Sequence, residues 1–436
     1  MQQLFKGGAP SRRQALRAGL GGLAALALPG CDALPVGGQL RFWNGFTGPD
    51  GRAMLALINR FNDATGRSAV MQRTDWASYY SKLFVAGLGG RAPETFVLQA
   101  EQLARFVRAG LVRPVDDLFG DGETQLPTSD FDANVLDAVT FDGRRYGMPL
   151  DVHPLGTFYN RDLFARTSFE RPPTDRDGFM ESLREIKGLG GDVFPYIFQW
   201  YRINAFAVLW QWGGGVFSDD YARCTLDAPE AVEAFEWCNE LANVQGLAPN
   251  PQAAGDAWVG FRQGRVGVTW SGMFMLADLQ RADGLNFGAT PIAQVGPKPA
   301  TWAGSHVFCM RPDLEGDELD TALALARYLS DEGVTWAKGG QVPPRKSLRA
   351  TPEFAALEAQ VEFAKMLPYI QFMPQVPLVQ EYLTEIDTAI ERTLRGASPR
   401  EALTDASRAV QRAIDRYLSA GWDPTGPVAP SSGGVA

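Results

Sequence analysis

The sequence predicts an α/β fold divided into two lobes, and three observations carry that prediction. Short apolar runs of strand character alternate with helical spacing of apolar residues along much of the chain. The chain has 436 residues, and roughly 400 remain once an N-terminal export segment is removed, more than one core usually serves. From residue 317 onward the balance shifts to helices, with apolar positions three and four apart.

The export segment comes first. Ser11-Arg12-Arg13-Gln14-Ala15-Leu16-Arg17 precedes a Gly/Ala/Leu-rich run over 18–28, which stops at Leu28-Pro29-Gly30-Cys31-Asp32. A basic start, a short apolar stretch and a small residue before a cysteine are the parts of an export signal, and the run is too short to span a bilayer. The arginine pair resembles a twin-arginine signal, with Ala15 where an aromatic is usual, so the general secretory route stays open. Leu28, Gly30 and Cys31 resemble a bacterial lipobox, in which Cys31 becomes the lipid-modified first residue and acyl chains hold the body at a membrane. Asp32 resembles the inner-membrane retention signal of Gram-negative lipoproteins. The alternative is a secretory peptide with an unmodified cysteine.

The body opens with a strand over 40–43, a turn-rich stretch over 44–51 and helical spacing over 54–62. A buried strand over 96–98 leads into a helix over 101–109 that Gly110 terminates. The same alternation recurs over 148–160, 193–198 and 266–270, which predicts largely parallel sheets. Helices are expected over 323–329, 354–366, 378–394 and 399–418, and a disordered tail from 423 to 436.

Composition narrows the function. The net charge is -9, and an acidic balance argues against a nucleic-acid partner because phosphate binding needs a basic footprint. With 11 Trp and 26 Phe, most aromatics belong to the core, while a few exposed faces would suit sugars. Once Cys31 is acylated, Cys224, Cys238 and Cys309 remain; they have no metal-ligand spacing, and either a Cys224–Cys238 bridge or buried thiols fits an oxidising compartment. His153 and His306 are the only histidines, which excludes a histidine-rich metal site. Gly213-Gly214-Gly215 lacks the Lys-Ser/Thr of a phosphate loop, and no Gly-x-Ser-x-Gly elbow occurs. No cofactor is expected.

Six segments in order resemble the extracellular solute-binding proteins of ABC-type sugar importers, the maltose-binding protein superfamily. They are Phe42-Trp43-Asn44-Gly45-Phe46-Thr47-Gly48-Pro49; Ala92-Pro93-Glu94-Thr95-Phe96-Val97; Tyr146-Gly147-Met148-Pro149-Leu150-Asp151-Val152-His153-Pro154-Leu155-Gly156 with Tyr159 to Phe164; Phe261-Arg262-Gln263-Gly264-Arg265-Val266-Gly267-Val268; Trp302-Ala303-Gly304-Ser305-His306; and Gln341-Val342-Pro343-Pro344-Arg345-Lys346-Ser347. The resemblance implies a two-lobed type II periplasmic-binding-protein fold with an interdomain cleft and three hinge crossovers. It implies one lobe at 38–148 plus 301–368 and the other at 149–300 plus 369–420. It also implies a monomer that binds a sugar and delivers it to the permease subunits of an ABC transporter at the extracytoplasmic membrane face.

A sugar offers hydroxyls in fixed directions and apolar C–H faces, so its site needs paired donors and acceptors with flat aromatic walls. Such groups belong on loops at strand ends. Trp43, Asn44 and Phe46 follow the first strand, and Gln99 and Glu101 stand where the resemblance places polar sugar ligands. In Leu150-Asp151-Val152-His153 the alternation puts Asp151 and His153 on one face, as ligand contacts or as a hinge hydrogen bond. His153 falls where the maltose binder has a carboxylate, which points to a different sugar. His306 is a site residue or a satisfied core histidine. Trp270, Met273 and Phe274 flank the turn where the family stacks an aromatic after Gly-Pro, with Met273 in place of the proline. Trp302, beside Ala303 and Gly304, is the better stacking candidate. Arg345 serves paired hydroxyls or a salt bridge. One of Trp200, Trp210 and Trp212 is expected at the cleft. Two rivals stay open: a secreted glycoside hydrolase, which would use paired carboxylates such as Asp151 and Glu101, and a binder of a glycerol phosphodiester or a polyamine.

Overall fold

Apolar strand residues that point alternately to two buried faces build the first lobe. The computed structural model describes residues 38–199, 201–248, 257–424, 426 and 428; the export segment, Cys31, Trp200 and most of the tail lie outside the described residues. The described residues from Leu40 onward form one compact unit, and within it lie two sheet-centred lobes. The strands β1 (Leu40–Asn44), β2 (Ala69–Arg73) and β3 (Thr95–Gln99) are parallel, with Leu40 opposite Ala69 and Phe42 opposite Thr95. On β3, Val97 points into one apolar cluster while Phe96 and Leu98 point into another. Both faces are therefore covered, and the strand reads as a continuous apolar run. The helix Pro49–Thr65 covers one face with Met54, Leu57, Ile58 and Phe61, spaced to lie on a single stripe. Arg41 grips the buried Glu94 with its side chain at 2.6 Å and its amide at 2.8 Å, fastening β1 to the start of β3.

The remaining strands are β4 (Thr140–Phe141), β5 (Arg144–Arg145), β6 (Met148–Pro149), β7 (His153–Asn160), β8 (Phe194–Phe198), β9 (Val266–Gly272), β10 (Phe287–Thr290), β11 (Thr301–Gly304), β12 (His306–Met310) and β13 (Ile370–Gln371). The first sheet has the order β2-β1-β3-β12-β6, the second β13-β11-β7-β9-β8 with β10 also on β7, and β4 and β5 form a separate hairpin. All eight residues of β7 are buried. The sheets are mixed rather than largely parallel: β12 runs antiparallel to β3 and β6, and β7 antiparallel to β9, β10 and β11. The reason is that the chain returns between lobes, so a strand can enter a sheet from its opposite end.

The chain changes sheets at 150–152, between β6 and β7, and at Ser305, between β11 and β12. A third passage precedes the helix Glu358–Ala364, which packs on β10 and β7. The resemblance places these passages at 148, 300 and 368. β11 stays with the second sheet by pairing Ala303 with Pro154 and Gly304 with His153. The segment expected as one helix over 354–366 is divided into Pro352–Ala355 and Glu358–Ala364.

Late helices close the second lobe. Val379–Leu394 and Pro399–Ser419 pack on each other and on the helices Tyr201–Gln211 and Pro229–Asn239. Ser398 caps the last of them by accepting from the Glu401 amide, with Pro399 at its first position. Cys224, Cys238 and Cys309 are free thiols. Among the described residues no helix is long and apolar enough to cross a membrane.

Candidate functional site

The first two passages between sheets bring their polar residues to one point. Asp151 lies on the first and is fully buried. Its Oδ1 accepts the His306 amide at 3.0 Å and lies 3.3 Å from His153 Nδ1. Its Oδ2 accepts Trp336 Nε1 at 2.6 Å and lies 2.8 Å from His306 Nδ1. Both carboxylate oxygens are thus saturated by donors.

Burial alone would push the Asp151 carboxyl up, yet the charge of His306 and the hydrogen bonds from both histidines hold it far below the usual carboxylate range. For His306, burial opposes the charged form, but the charge and hydrogen bond of Asp151, with Asp50 and Glu101 further off, raise it above the ordinary imidazole value. His153 goes the other way, because burial dominates and the charge of His306 adds to it, against the hydrogen bond it makes to Asp151.

In front of Asp151 the rings form a row. Trp76 stacks on His306 at 5.8 Å, His306 lies 4.8 Å from His153, and His153 lies 5.8 Å from Trp302. Trp76 and His306 belong to the first lobe; His153 and Trp302 are in β7 and β11 of the second sheet. Two glycines make room for the row. A Cβ on Gly45 would sit 2.1 Å from the Trp76 ring, and one on Gly304 would sit 2.2 Å from His153 Nε2. All four rings line a cleft of about 770 Å³, within the range of ligand sites.

The cleft rim is charged. Asp50 and Glu101 line it from the first lobe, and Arg202, Asp387 and Glu391 from the second. Arg202 Nε donates to Asp387 at 2.9 Å in a two-pronged ion pair. Burial raises the Glu101 carboxyl, with His306 and Arg202 acting against it. Trp302 Nε1 and Gln341 Oε1 are buried cleft atoms with no partner among the described residues, and such atoms are costly unless something binds them.

Of the residues expected from sequence, Gln99, Glu101, His153, Phe274, Trp302 and His306 line this cleft. Asp151 stands behind the histidines. Phe46 also stands behind, edge-on to His306 at 4.8 Å, and Asn44 Oδ1 accepts the Phe46 amide to shape the loop. Trp43 points to the other side of β1, under Lys82. Trp270 and Met273 are core: Trp270 is sandwiched between Phe179 and Trp237. Arg345 is held in ion pairs with Asp130 and Asp331 and does not line the cleft. Trp210 packs at a tilt against Phe206 and Trp212 against Trp237, and neither lines the cleft. Sequence reasoning missed Trp76, Arg202, Gln341, Asp387 and Glu391. The one available signal was Asp75, whose side chain caps the helix that begins at Trp76.

Among the described residues, the group with metal-ligand composition is Asp151, His153 and His306, with ligand atoms within 4.8 Å of one another. Every oxygen of its carboxylate already has two donors, so the cluster is satisfied without a cation.

Two α/β lobes around a ring-lined cleft define the class of two-lobed solute-binding folds, and solved structures agree. The sugar-binding protein MalE from Xanthomonas citri matches with a TM-score of 0.78 at 20% identity, covering 88% of this chain and 100% of that one. An ABC substrate-binding protein from Listeria monocytogenes, solved in complex with cycloalternan, matches with a TM-score of 0.75 at 19% identity, covering 87% and 99%. The maltotriose-binding protein of Pyrococcus abyssi (strain GE5 / Orsay) is 25% identical over 217 residues, 49% of this chain and 44% of that protein. Residues 56–364 match the model of the bacterial extracellular solute-binding proteins. The chain belongs to that family.

Removing the Asp151 charge should unseat both histidines. A raised His306 contributes stability that is complete below its unfolded pKa, about 6.5, and is lost as pH rises through its folded value. Asp151→Asn is expected to cost about 3 to 5 kcal/mol at neutral pH, the usual result of breaking a buried pair, and to abolish that loss above pH 6.5. Urea melts at several pH values measure both. A variant as stable as the wild type, with the same pH slope, would show that Asp151 does not organise the site.

Proposed function

We propose that this chain is the extracytoplasmic substrate-binding subunit of an ABC importer for a mono- or oligosaccharide. The observation that carries the reading is the row of rings from Trp76 to Trp302, which gives two flat indole faces with imidazoles between them. A pyranose has apolar faces for the indoles and hydroxyls for the imidazoles, Gln99 and Gln341. The names of the similar proteins, with their sugars, support the same class. A ligand that touches His306 and Trp76 of one lobe together with His153 and Trp302 of the other has more contacts when the lobes are close. Binding therefore favours the closed state, which the permease subunits would receive.

The reading is of a binder rather than an enzyme, since the buried carboxylate of the row is spent on structure. A polyamine is the second reading, favoured by the Asp50, Glu101 and Glu391 carboxylates that line the cleft beside aromatic faces. Anchoring through acyl chains on Cys31 is part of the proposal, as is action as a monomer.

A thermal-shift panel of maltotriose, other saccharides and spermidine separates the two readings. A ligand at a hundred times its Kd stabilises the folded state by about 2.7 kcal/mol. Stabilisation by a saccharide and not by spermidine is expected, with Trp302→Ala weakening it by about ten-fold or more through lost stacking. Stabilisation by spermidine alone would replace the saccharide. For the anchor, Cys31→Ala is expected to move the protein from the membrane to the soluble fraction after a salt wash, because one thiol carries the lipid; retention on membranes would remove the lipoprotein assignment.

A further inference from the structure

The chain has two histidines, and they stand ring beside ring on one carboxylate at the floor of the cleft. An ionised carboxylate only accepts, so the Nδ1 of each ring carries a proton directed at Asp151. Each Nε2 then lies on the side of its ring away from that carboxylate, and both rings line the cleft. His153 Nε2 passes over the bare Cα of Gly304, where a Cβ would block it.

The two rings are not equivalent. His306 sits 2.8 Å from Asp151 and also donates its backbone amide to it, whereas His153 is at 3.3 Å. The shorter contact is that of a charge-assisted bond. Asp50 and Glu101 face His306 from the helices Pro49–Thr65 and Ala100–Arg108, while Arg202 acts on Glu101 rather than on either ring. Phe46, Trp76, Trp302 and Phe274 surround the pair with apolar rings. One carboxylate in such a setting balances one imidazolium; a second would be buried without a partner.

We propose that Asp151 polarises the pair, so that His306 presents an Nε2–H donor to the cleft and His153, beside it, an Nε2 lone pair, and that the two together select a ligand hydroxyl. A hydroxyl donates to His153 and accepts from His306 at once. An ammonium group satisfies only His153 and is repelled by His306, a carboxylate satisfies only His306, and an ether or a deoxy position satisfies at most one. The opposite displacements of the two imidazole pKa values agree with this geometry. They also set a window. As pH falls through the lowered value of His153 the acceptor becomes a second donor, and as pH rises through the raised value of His306 the donor becomes a second acceptor. Affinity is therefore greatest between the two and falls on both sides.

The protonation pattern needs no ligand for its test, while the selection of a hydroxyl rests on the saccharide reading. Long-range nitrogen–proton spectra of the full chain, labelled at histidine nitrogens and carrying no added histidine tag, report each ring. At pH 7 one imidazolium and one neutral ring with its proton on Nδ1 are expected, and His153→Gln should remove the neutral one. Two neutral or two charged rings in the wild type would overturn the proposal whether or not that variant folds. Calorimetry with maltotriose, or with the saccharide that stabilises the protein in the panel, should give a bell-shaped affinity across pH, with a loss of about ten-fold, one hydrogen bond's worth, once the medium is acid enough to protonate His153. A flat profile beside the expected spectra would overturn the selection of a hydroxyl. If no saccharide binds, the saccharide reading falls and the selection with it, and the spectra still decide the charge pattern.

Discussion

One buried carboxylate ties the first two passages between the lobes to each other and to the segment ahead of the third. Asp151 lies on the first passage; His306 starts the strand after the second; Trp336 lies ahead of the third, in a segment whose continuation pairs Val342 with Val152 by two 2.9 Å hydrogen bonds. An isolated charge at full burial would cost many kcal/mol, and only a complete set of donors keeps it ionised. Three of the four donors come from His153 and His306, at the first two passages, and the fourth from Trp336, ahead of the third, so these distant segments depend on one another being in place. The same bonds orient the two imidazoles toward the cleft, which makes the hinge region and the floor of the site one construction.

That arrangement explains the division of labour among the aromatic residues. Phe46 and Trp336 brace the row from behind at 5.0 Å from each other, and Trp76 and Trp302 form its ends in the open cleft. Trp270, Phe179 and Trp237 make a separate stack in the core of the second lobe. The row crosses from one lobe to the other, so a ligand lying along it senses the distance between them.

Much of this was legible in the sequence, for definite reasons. The polar–apolar alternation of Leu150-Asp151-Val152-His153 forces Asp151 and His153 to one face, and their side chains do meet. Asp151 took its structural alternative because saturation of a carboxylate depends on partners 155 and 185 residues away, which no local pattern reports. β2 went unread because its pattern is weak, with Val70 turned outward at 39% exposure, and Trp76 after it was lost as well. The helix Val379–Leu394 was legible by its period, but Asp387 and Glu391, one turn apart on it, look like any solvated face. Arg345 and Trp270 have residue types that suit a sugar site, but the ion pairs of the one and the core stack of the other depend on distant partners that no local pattern reports.

The most direct measurement is a crystal structure with a saccharide bound. The account predicts a sugar ring against Trp76 or Trp302, one hydroxyl oxygen within hydrogen-bond distance of the Nε2 atoms of both His153 and His306, and Asp151 still holding its four donors. A sugar hydroxyl bonded to the Asp151 carboxylate, with either histidine displaced, would contradict it.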